Sequence, residues 1–386
     1  MGKTIGRRPV LQGIAAAAVL IAAPSISRGA TRKLTVAKSI PNLMAYTPID
    51  VGLAKGIYGQ HEIEIESIAF SGSAGMHQAM TAGALDIGLG SGSTMVNIVK
   101  GEPDICIAQT LGPPVELSII VPYDSPIRTT DDLKGKNIGV ASTGSPTEWV
   151  VFELARLKGW AKTDVKTVGL GGTQAAIAAL RVHQVDAVVA DTAVAYTLEP
   201  QSQGRAIVNC ADYVPNFIMH ANFASNKVAS EQPEAVKAFC AAWFETVAFM
   251  QKNRDETNRI VGPVTQLSPE VQVKNYDLVV PLMSLTGKFD DKSLAALARS
   301  YVELKLADTE PDMKQLYTEK SPAVGLARKR CSTNRTRTIT GCASIPSSRS
   351  ACRARSLGYR RSASTACPIS RRSANSPICP STRRWW

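Results

Sequence analysis

The sequence predicts an α/β protein of two similar lobes, each a βαβαβ unit with a parallel-rich sheet, and three observations carry that expectation. The first is a repeated pattern. Leu85-Asp86-Ile87-Gly88-Leu89 and Val185-Asp186-Ala187-Val188-Val189 are both apolar runs behind one Asp, and each closes a helix-like stretch. The second is that upstream segments repeat in the same order. Phe70-Ser71-Gly72-Ser73-Ala74 matches Leu170-Gly171-Gly172-Thr173-Gln174, residues 34–39 match 137–142, and Ala54-Lys55-Gly56-Ile57 matches Leu157-Lys158-Gly159-Trp160. The third is that each copy alternates strand-like and helical patterns, an order that gives parallel strands covered by helices. Ligands of such sheets sit beyond the carboxyl ends of the strands. Two facing lobes therefore bring six loops to one cleft, the layout of a hinged small-molecule binder.

In chain order, residues 1–30 carry Lys3, Arg7, Arg8, an apolar run over 14–23 and no acidic residue, the pattern of an export signal. The run is too short for a membrane span. Arg7-Arg8-Pro9-Val10-Leu11 looks like a twin-arginine signal, while Pro9 and the missing Lys after it leave general secretion open. Small residues place cleavage near Ser27 to Ala30, and no Cys stands there to take a lipid anchor. The expected location is the periplasm.

Residues 31–120 form the first part of lobe 1 and 121–217 form lobe 2. The apolar, β-rich segments 117–121 and 217–221 at the junctions are the natural crossing strands of a two-segment hinge. Residues 218–320 return to lobe 1. Within them 233–253 is strongly helical, with Ala235, Phe239, Trp243 and Phe249 at helical spacing, and 294–304 repeats this more weakly. Both helices are expected to pack on lobe 1, so that the lobes meet only through the crossing strands and a ligand.

Residues 321–386 hold fourteen Lys or Arg, no acid and five of the eight Cys. Two readings compete for this tail: a basic nucleic-acid arm, or a disordered frameshift product of a GC-rich gene. The Arg, Ser, Pro and Cys mixture, without Lys clusters or RGG repeats, fits the second better. Residues 31–320 carry 26 basic against 32 acidic side chains, so the body is mildly acidic and the overall excess of +12 does not argue for nucleic acid. Cys106 and Cys240 lie in apolar patterns and read as small buried hydrophobes. With Cys210 they make an odd set that sequence cannot pair.

The cleft candidates follow from the predicted strand ends. Ser145-Pro146-Thr147-Glu148 combines an N-cap Ser, a Pro at the first helical position and a Glu at the third, a capping box opening a helix over 146–158. Ser142, Thr143, Gly144 and Ser145 then line a helix N-terminus whose free N–H groups and positive dipole end suit an anion. Ser71, Gly72 and Ser73 play that part in lobe 1, and Thr173 after Gly171-Gly172 in lobe 2. Ser91 and Ser93 follow the third strand of lobe 1, with Asp191 and Thr192 as their counterparts. Ser39 ends the first strand beside Lys38, the one nearby cation. Tyr46 lies in the loop 41–48 and could wall a ligand; Trp149 could as well, although Val150, Leu154 and Leu157 mark its surroundings as core. Asp191 could pair with a ligand ammonium or simply cap the helix at Thr192. The same Gly and Ser residues also suit any βα turn, and sequence alone does not separate the two roles.

The motifs Ala54-Lys55-Gly56-Ile57-Tyr58, Ala82-Gly83-Ala84-Leu85-Asp86-Ile87-Gly88, Leu133-Lys134-Gly135-Lys136-Asn137-Ile138-Gly139-Val140 and Val185-Asp186-Ala187, in this order, resemble the nitrate, sulfonate and taurine type of solute-binding protein of ABC importers. The resemblance covers about residues 33–320. It implies a type 2 periplasmic-binding fold and delivery of a small ligand to an inner-membrane permease, without fixing the ligand; the cleft residues themselves point to an anion, and a monomer without cofactor, metal or nucleic acid is expected. Two further readings are a binder of a thiamine-precursor pyrimidine and a periplasmic ligand sensor. An enzyme of the pyrimidine-synthase type would show a CCCFC motif, which is absent. His61, His77, His183 and His220 have no metal-ligand spacing, and His77 and His183 read as surface or packing residues.

Overall fold

The computed structural model describes residues 31–320 and, upstream, Gly2 alone. The export signal and the basic tail lie outside the described residues. Ten strands run β1 (Arg32–Lys38), β2 (Ile63–Ala69), β3 (Ile87–Ser91), β4 (Asp104–Leu111), β5 (Leu117–Pro122), β6 (Asn137–Val140), β7 (Lys166–Gly169), β8 (Ala187–Asp191), β9 (Gly204–Asn209) and β10 (His220–Ser225). Between them lie α1 (Pro48–Ala54), α2 (Ile57–Gln60), α3 (Ser73–Thr81), α4 (Val96–Val99), α5 (Pro146–Leu157), α6 (Thr173–Arg181) and α7 (Thr192–Leu198). After β10 the chain is helical, through α8 (Asn226–Glu231), α9 (Pro233–Lys252), α10 (Arg254–Thr265), α11 (Pro269–Val279) and α12 (Asp291–Glu303).

The strands form two five-stranded sheets with one topology, β2-β1-β3-β10-β4 and β7-β6-β8-β5-β9. In each, one strand is antiparallel to its neighbours: β10 lies between β3 and β4, and β5 between β8 and β9. Of the segments expected to cross between lobes, 117–121 thus lies inside a sheet as part of β5, whereas 217–221 only enters β10 at its end. The connections themselves are 112–116 and 210–219, which precede β5 and β10.

The repeat has a physical content. Asp86 Oδ2 accepts the N–H of Thr35 at 2.9 Å, and Asp186 Oδ2 accepts that of Asn137 at 2.8 Å. Each Asp also donates its own N–H to the carbonyl of the same residue. One acidic side chain per lobe therefore fixes the start of the third strand against the first. Gly56 and Gly159 end the matching helices at φ 66° and 68°, where a Cβ would strain the backbone.

Three hydrophobic cores form among the described residues: a small one within lobe 2, around Leu180, Val188 and Leu198, and two larger ones. One joins the inner side of the first sheet, through Leu34, Val36 and Leu89, to Phe239, Trp243 and Val247 of α9. The other runs from lobe 1 residues Met76, Met95 and Cys106 through Leu297 and Tyr301 of α12 to Ile119, Val140 and Trp149 of lobe 2. The expectation that the lobes meet only through crossing strands and a ligand is corrected by this continuity. α12 is tied to lobe 1 by Tyr301 Oη, which donates to the carbonyl of Gly92 at 3.0 Å, and to lobe 2 by Trp149 Nε1, which donates to Glu303 Oε2 at 2.7 Å. α11 likewise packs on α7 of lobe 2. The apolar stripe of a helix says that it is covered, not by which lobe.

Candidate functional site

Glu116, the last residue before β5, and His220, the first residue of β10, each stand between apolar neighbours where the chain passes between the lobes. They meet. Ser39 Oγ donates to Tyr46 Oη at 3.1 Å, Tyr46 Oη lies 2.9 Å from His220 Nδ1, and His220 Nε2 is hydrogen-bonded to Glu116 Oε1. The His220 ring thus bridges the phenol and the Glu116 carboxyl through its two nitrogens. All four residues are buried. Burial pushes the Tyr46 hydroxyl far above its ordinary range, with the Glu116 charge adding to it against the Ser39 bond, so the phenol stays protonated.

From lobe 2, the half-buried Asp191 stands at the end of β8, where Leu117 is its strand partner, and caps α7 by accepting the N–H of Ala193 at 2.8 Å. Its carboxyl is pushed up to about 7, first by burial and then by the negative charge of Glu116, against the Ala193 hydrogen bond and His220. Glu116 Oε2 is buried and has no hydrogen-bond partner among the described residues. Glu116 and Asp191 thus hold acceptor oxygens short of donors near the junction of the lobes. Lys38 does not offset them, because its Nζ is taken by Asp50 at 3.0 and 3.1 Å.

The predicted site residues fall in different places. Ser39 and Tyr46 belong to this hydrogen-bonded chain, and Asp191 is linked to it only through the charges of Glu116 and His220. Thr192 lies beside it, its buried Oγ1 bonded to Ser118 Oγ at 2.8 Å and its N–H to the Glu116 carbonyl at 2.7 Å. Ser91 and Ser93 close a turn upon themselves, with their hydroxyls 3.1 Å apart. Ser71, Ser73, Ser142, Thr143 and Thr173 have hydroxyls without a hydrogen bond among the described residues, at or just before the N-termini of α3, α5 and α6.

The free amides expected at residues 142–145 are a correction. Thr147 Oγ1 accepts the N–H of Ala141 at 2.9 Å, Ser145 Oγ that of Ser142 at 3.4 Å, and Glu148 Oε2 that of Gly144 at 2.8 Å. The α5 terminus is filled by its own side chains, one of them a carboxylate. α3 and α6 differ: their N-caps, Gly72 and Gly172, supply no side-chain bond. Trp149 is core, stacked at 4.6 Å on Phe217. Of its two expected roles, surface or packing, His77 takes the second, being 1% exposed and paired with Asp104. The three body cysteines are buried and free.

Glu116 and His220 were the residues missed by the sequence reading. Their signal was available: one charged or titratable side chain in each otherwise apolar junction, Val115-Glu116-Leu117 and Met219-His220-Ala221.

Comparison with known proteins places this architecture. The NMT1/THI5-like family profile matches residues 44–257, more than half of the chain. The chain belongs to the NMT1/THI5-like family. A binding protein of Brucella abortus is 26% identical over 227 residues, which cover 57% of this chain and 69% of that one. The periplasmic aliphatic sulphonate binding protein SsuA from Escherichia coli has the same fold, with a TM-score of 0.64 and 18% identity over 74% of this chain and 92% of its own. So does the alkanesulfonate-binding SsuA from Xanthomonas axonopodis pv. citri, bound to MOPS, with a TM-score of 0.62 and 16% identity over 76% and 98%. The desulfurization enzyme DSZB shares the fold at a TM-score of 0.57 and 14% identity over 74% and 96%. The fold of this family member is therefore the periplasmic-binding fold, and chemistry must be argued from the site. Among the described residues no helix is long and apolar enough to cross a membrane.

Proposed function

We propose that this NMT1/THI5-like protein is the extracytoplasmic solute-binding component of an ABC importer, capturing a small organic anion that also carries an amine, such as an aminosulfonate, between its lobes. The observation that carries this reading is that Asp191, at the end of β8, feels the negative charge of Glu116, whose Oε2 is buried without a hydrogen-bond partner among the described residues, so that these side chains offer acceptors and no cation. An inorganic anion such as nitrate would meet repulsion there. A ligand ammonium supplies the missing donors, while hydroxyls at Ser71, Ser73 and Thr173 and the uncapped starts of α3 and α6 suit the acidic head group. The alkanesulfonate-binding neighbour supports the head group. The same carboxylates favour a second reading, an aminopyrimidine of the thiamine-precursor kind, whose exocyclic amine would donate to them.

Calorimetric titration with taurine, ethanesulfonate, nitrate and an aminopyrimidine tests this. Taurine is expected to bind and ethanesulfonate, which lacks the amine, to bind at least about tenfold more weakly, the equivalent of one charge-assisted hydrogen bond. Equal affinities for the two sulfonates would remove the carboxylates from recognition.

A further inference from the structure

We propose that His77, Glu102 and Asp104 form a divalent-cation site on lobe 1, which takes Zn2+ through His77 Nδ1 and one oxygen of each carboxylate. His77 lies on the first turns of α3, Asp104 opens β4, and Glu102 sits in the turn between α4 and β4. His77 Nδ1 is 3.0 Å from Asp104 Oδ2 and 3.0 Å from Glu102 Oε2. The three donor atoms all lie within 4.8 Å of one another.

Without a cation this arrangement is under-satisfied. A ring nitrogen offers one N–H or one lone pair along one direction, so Nδ1 can serve only one of two oxygens. It serves Asp104, and Glu102 Oε2 is left buried without a hydrogen bond, as are Asp104 Oδ1 and His77 Nε2. His77 is 1% and Asp104 2% exposed. No Lys or Arg among the described residues pairs with either carboxylate. Even a protonated imidazole would leave two carboxylates, one of them buried, against one positive charge, which is costly.

A cation at the point common to the three atoms supplies the missing partner of Glu102 Oε2 and offsets the two carboxylate charges, while Asp104 Oδ1 and His77 Nε2 stay outside its coordination. Zn2+ binds His nitrogen and carboxylate oxygen at roughly 2.0–2.2 Å, so ligands 3.0 Å apart need to spread by only a few tenths of an ångström. The set is one imidazole and two carboxylates, which suits Zn2+ better than the all-oxygen surroundings that Ca2+ and Mg2+ prefer. Glu102, whose side chain is 27% exposed, marks the entry side and leaves room for a water as fourth ligand. The ion would pin α3 to the start of β4, one turn below the Ser71 to Ser73 loop at the cleft. The site is independent of the proposed solute.

The test uses the full chain, stripped with a chelator, dialysed, and alkylated under native conditions so that thiols beyond residue 320 cannot bind metal. Calorimetry with Zn2+ is expected to show one ion per chain. Melting at a hundredfold excess over the dissociation constant is expected to rise by about 5 °C. Glu102→Gln, at the partly exposed position, keeps the fold and should weaken Zn2+ binding by at least about tenfold, as His77→Gln should wherever it folds. Absence of a Zn2+-dependent heat and melting shift, or a response undiminished in Glu102→Gln, overturns the site. A loss of stability in Glu102→Gln with no metal response would do so as well, showing a metal-free ion triad instead.

Discussion

Arg299 on α12 lays its guanidinium across Glu153 on α5, Nη1 to Oε2 at 3.0 Å and Nη2 to Oε1 at 3.1 Å, and so ties the C-terminal helix to lobe 2. Glu153 is also held by Arg156. Burial alone would raise its carboxyl, but the hydrogen bonds and charges of the two arginines outweigh burial and hold it below the usual range. Because the folded value is depressed, this stabilisation is present above the ordinary Glu pKa of about 4.3 and is lost as pH falls through the folded value.

Arg299→Ala is therefore expected to destabilise the protein by about 1–3 kcal/mol near neutral pH, less than for a lone buried pair because Arg156 remains. The loss should shrink under acid conditions. It should also widen the ligand-free molecule, since α12 bridges the lobes. Thermal melts across pH with small-angle scattering check both, and an unchanged melt with an unchanged radius of gyration would dismiss the strap.

The repeat was legible because Asp86 and Asp186 do the same backbone work in each lobe, and a shared job leaves a shared pattern. The Ser145 cap was legible for the same local reason. What was not legible depends on contacts between residues distant in sequence or on which of two lobes covers a face. The filling of the α5 terminus required Thr147 and Glu148 to turn back onto Ala141 and Gly144 rather than to solvent. The Tyr46, His220 and Glu116 chain joins positions 46, 220 and 116, and no local period links them.

Gly92, between Ser91 and Ser93, is a packing residue. A Cβ there would lie 2.2 Å from the backbone oxygen of Ile218, at the second crossing, where the N–H of Gly92 also donates to Met219 at 3.2 Å. Backbone cannot yield as a side-chain tip can. Gly92→Ala is expected to cost roughly 3 kcal/mol or more, measured by urea unfolding. A change below about 0.5 kcal/mol would mean that the crossing segment moves freely.

The hydrophobic cores among the described residues are composed of buried residues between 34 and 316. A chain ended at Lys320 should therefore melt as cooperatively as the full chain and be at least as soluble, as its basic excess is removed. Failure of that shorter chain to fold would show that residues 321–386 contribute to the core.

Asp191 gives the sharpest test of the cleft. Its folded value of about 7 lies above the ordinary Asp value of about 3.9. The folded state thus binds this proton more tightly, so its contribution to stability falls as pH rises from about 4 to about 7 and is level above that. Binding of a ligand ammonium runs the other way, since only the ionised carboxylate attracts it. Taurine affinity is expected to rise through pH 7 until the carboxylate is fully charged. Asp191→Asn should flatten that profile and weaken taurine by about tenfold to a hundredfold, the loss of roughly 1.5–3 kcal/mol from one charge-assisted bond. Ethanesulfonate should bind the variant no more weakly than the parent, because without an amine the carboxylate only repels it. Ser73→Ala should weaken both sulfonates alike, and Ser142→Ala should weaken them less, since the α5 amides beside it are already occupied. Taurine affinity that is independent of pH in the parent, with an unchanged melt in Asp191→Asn, would leave Asp191 as nothing more than the cap of α7.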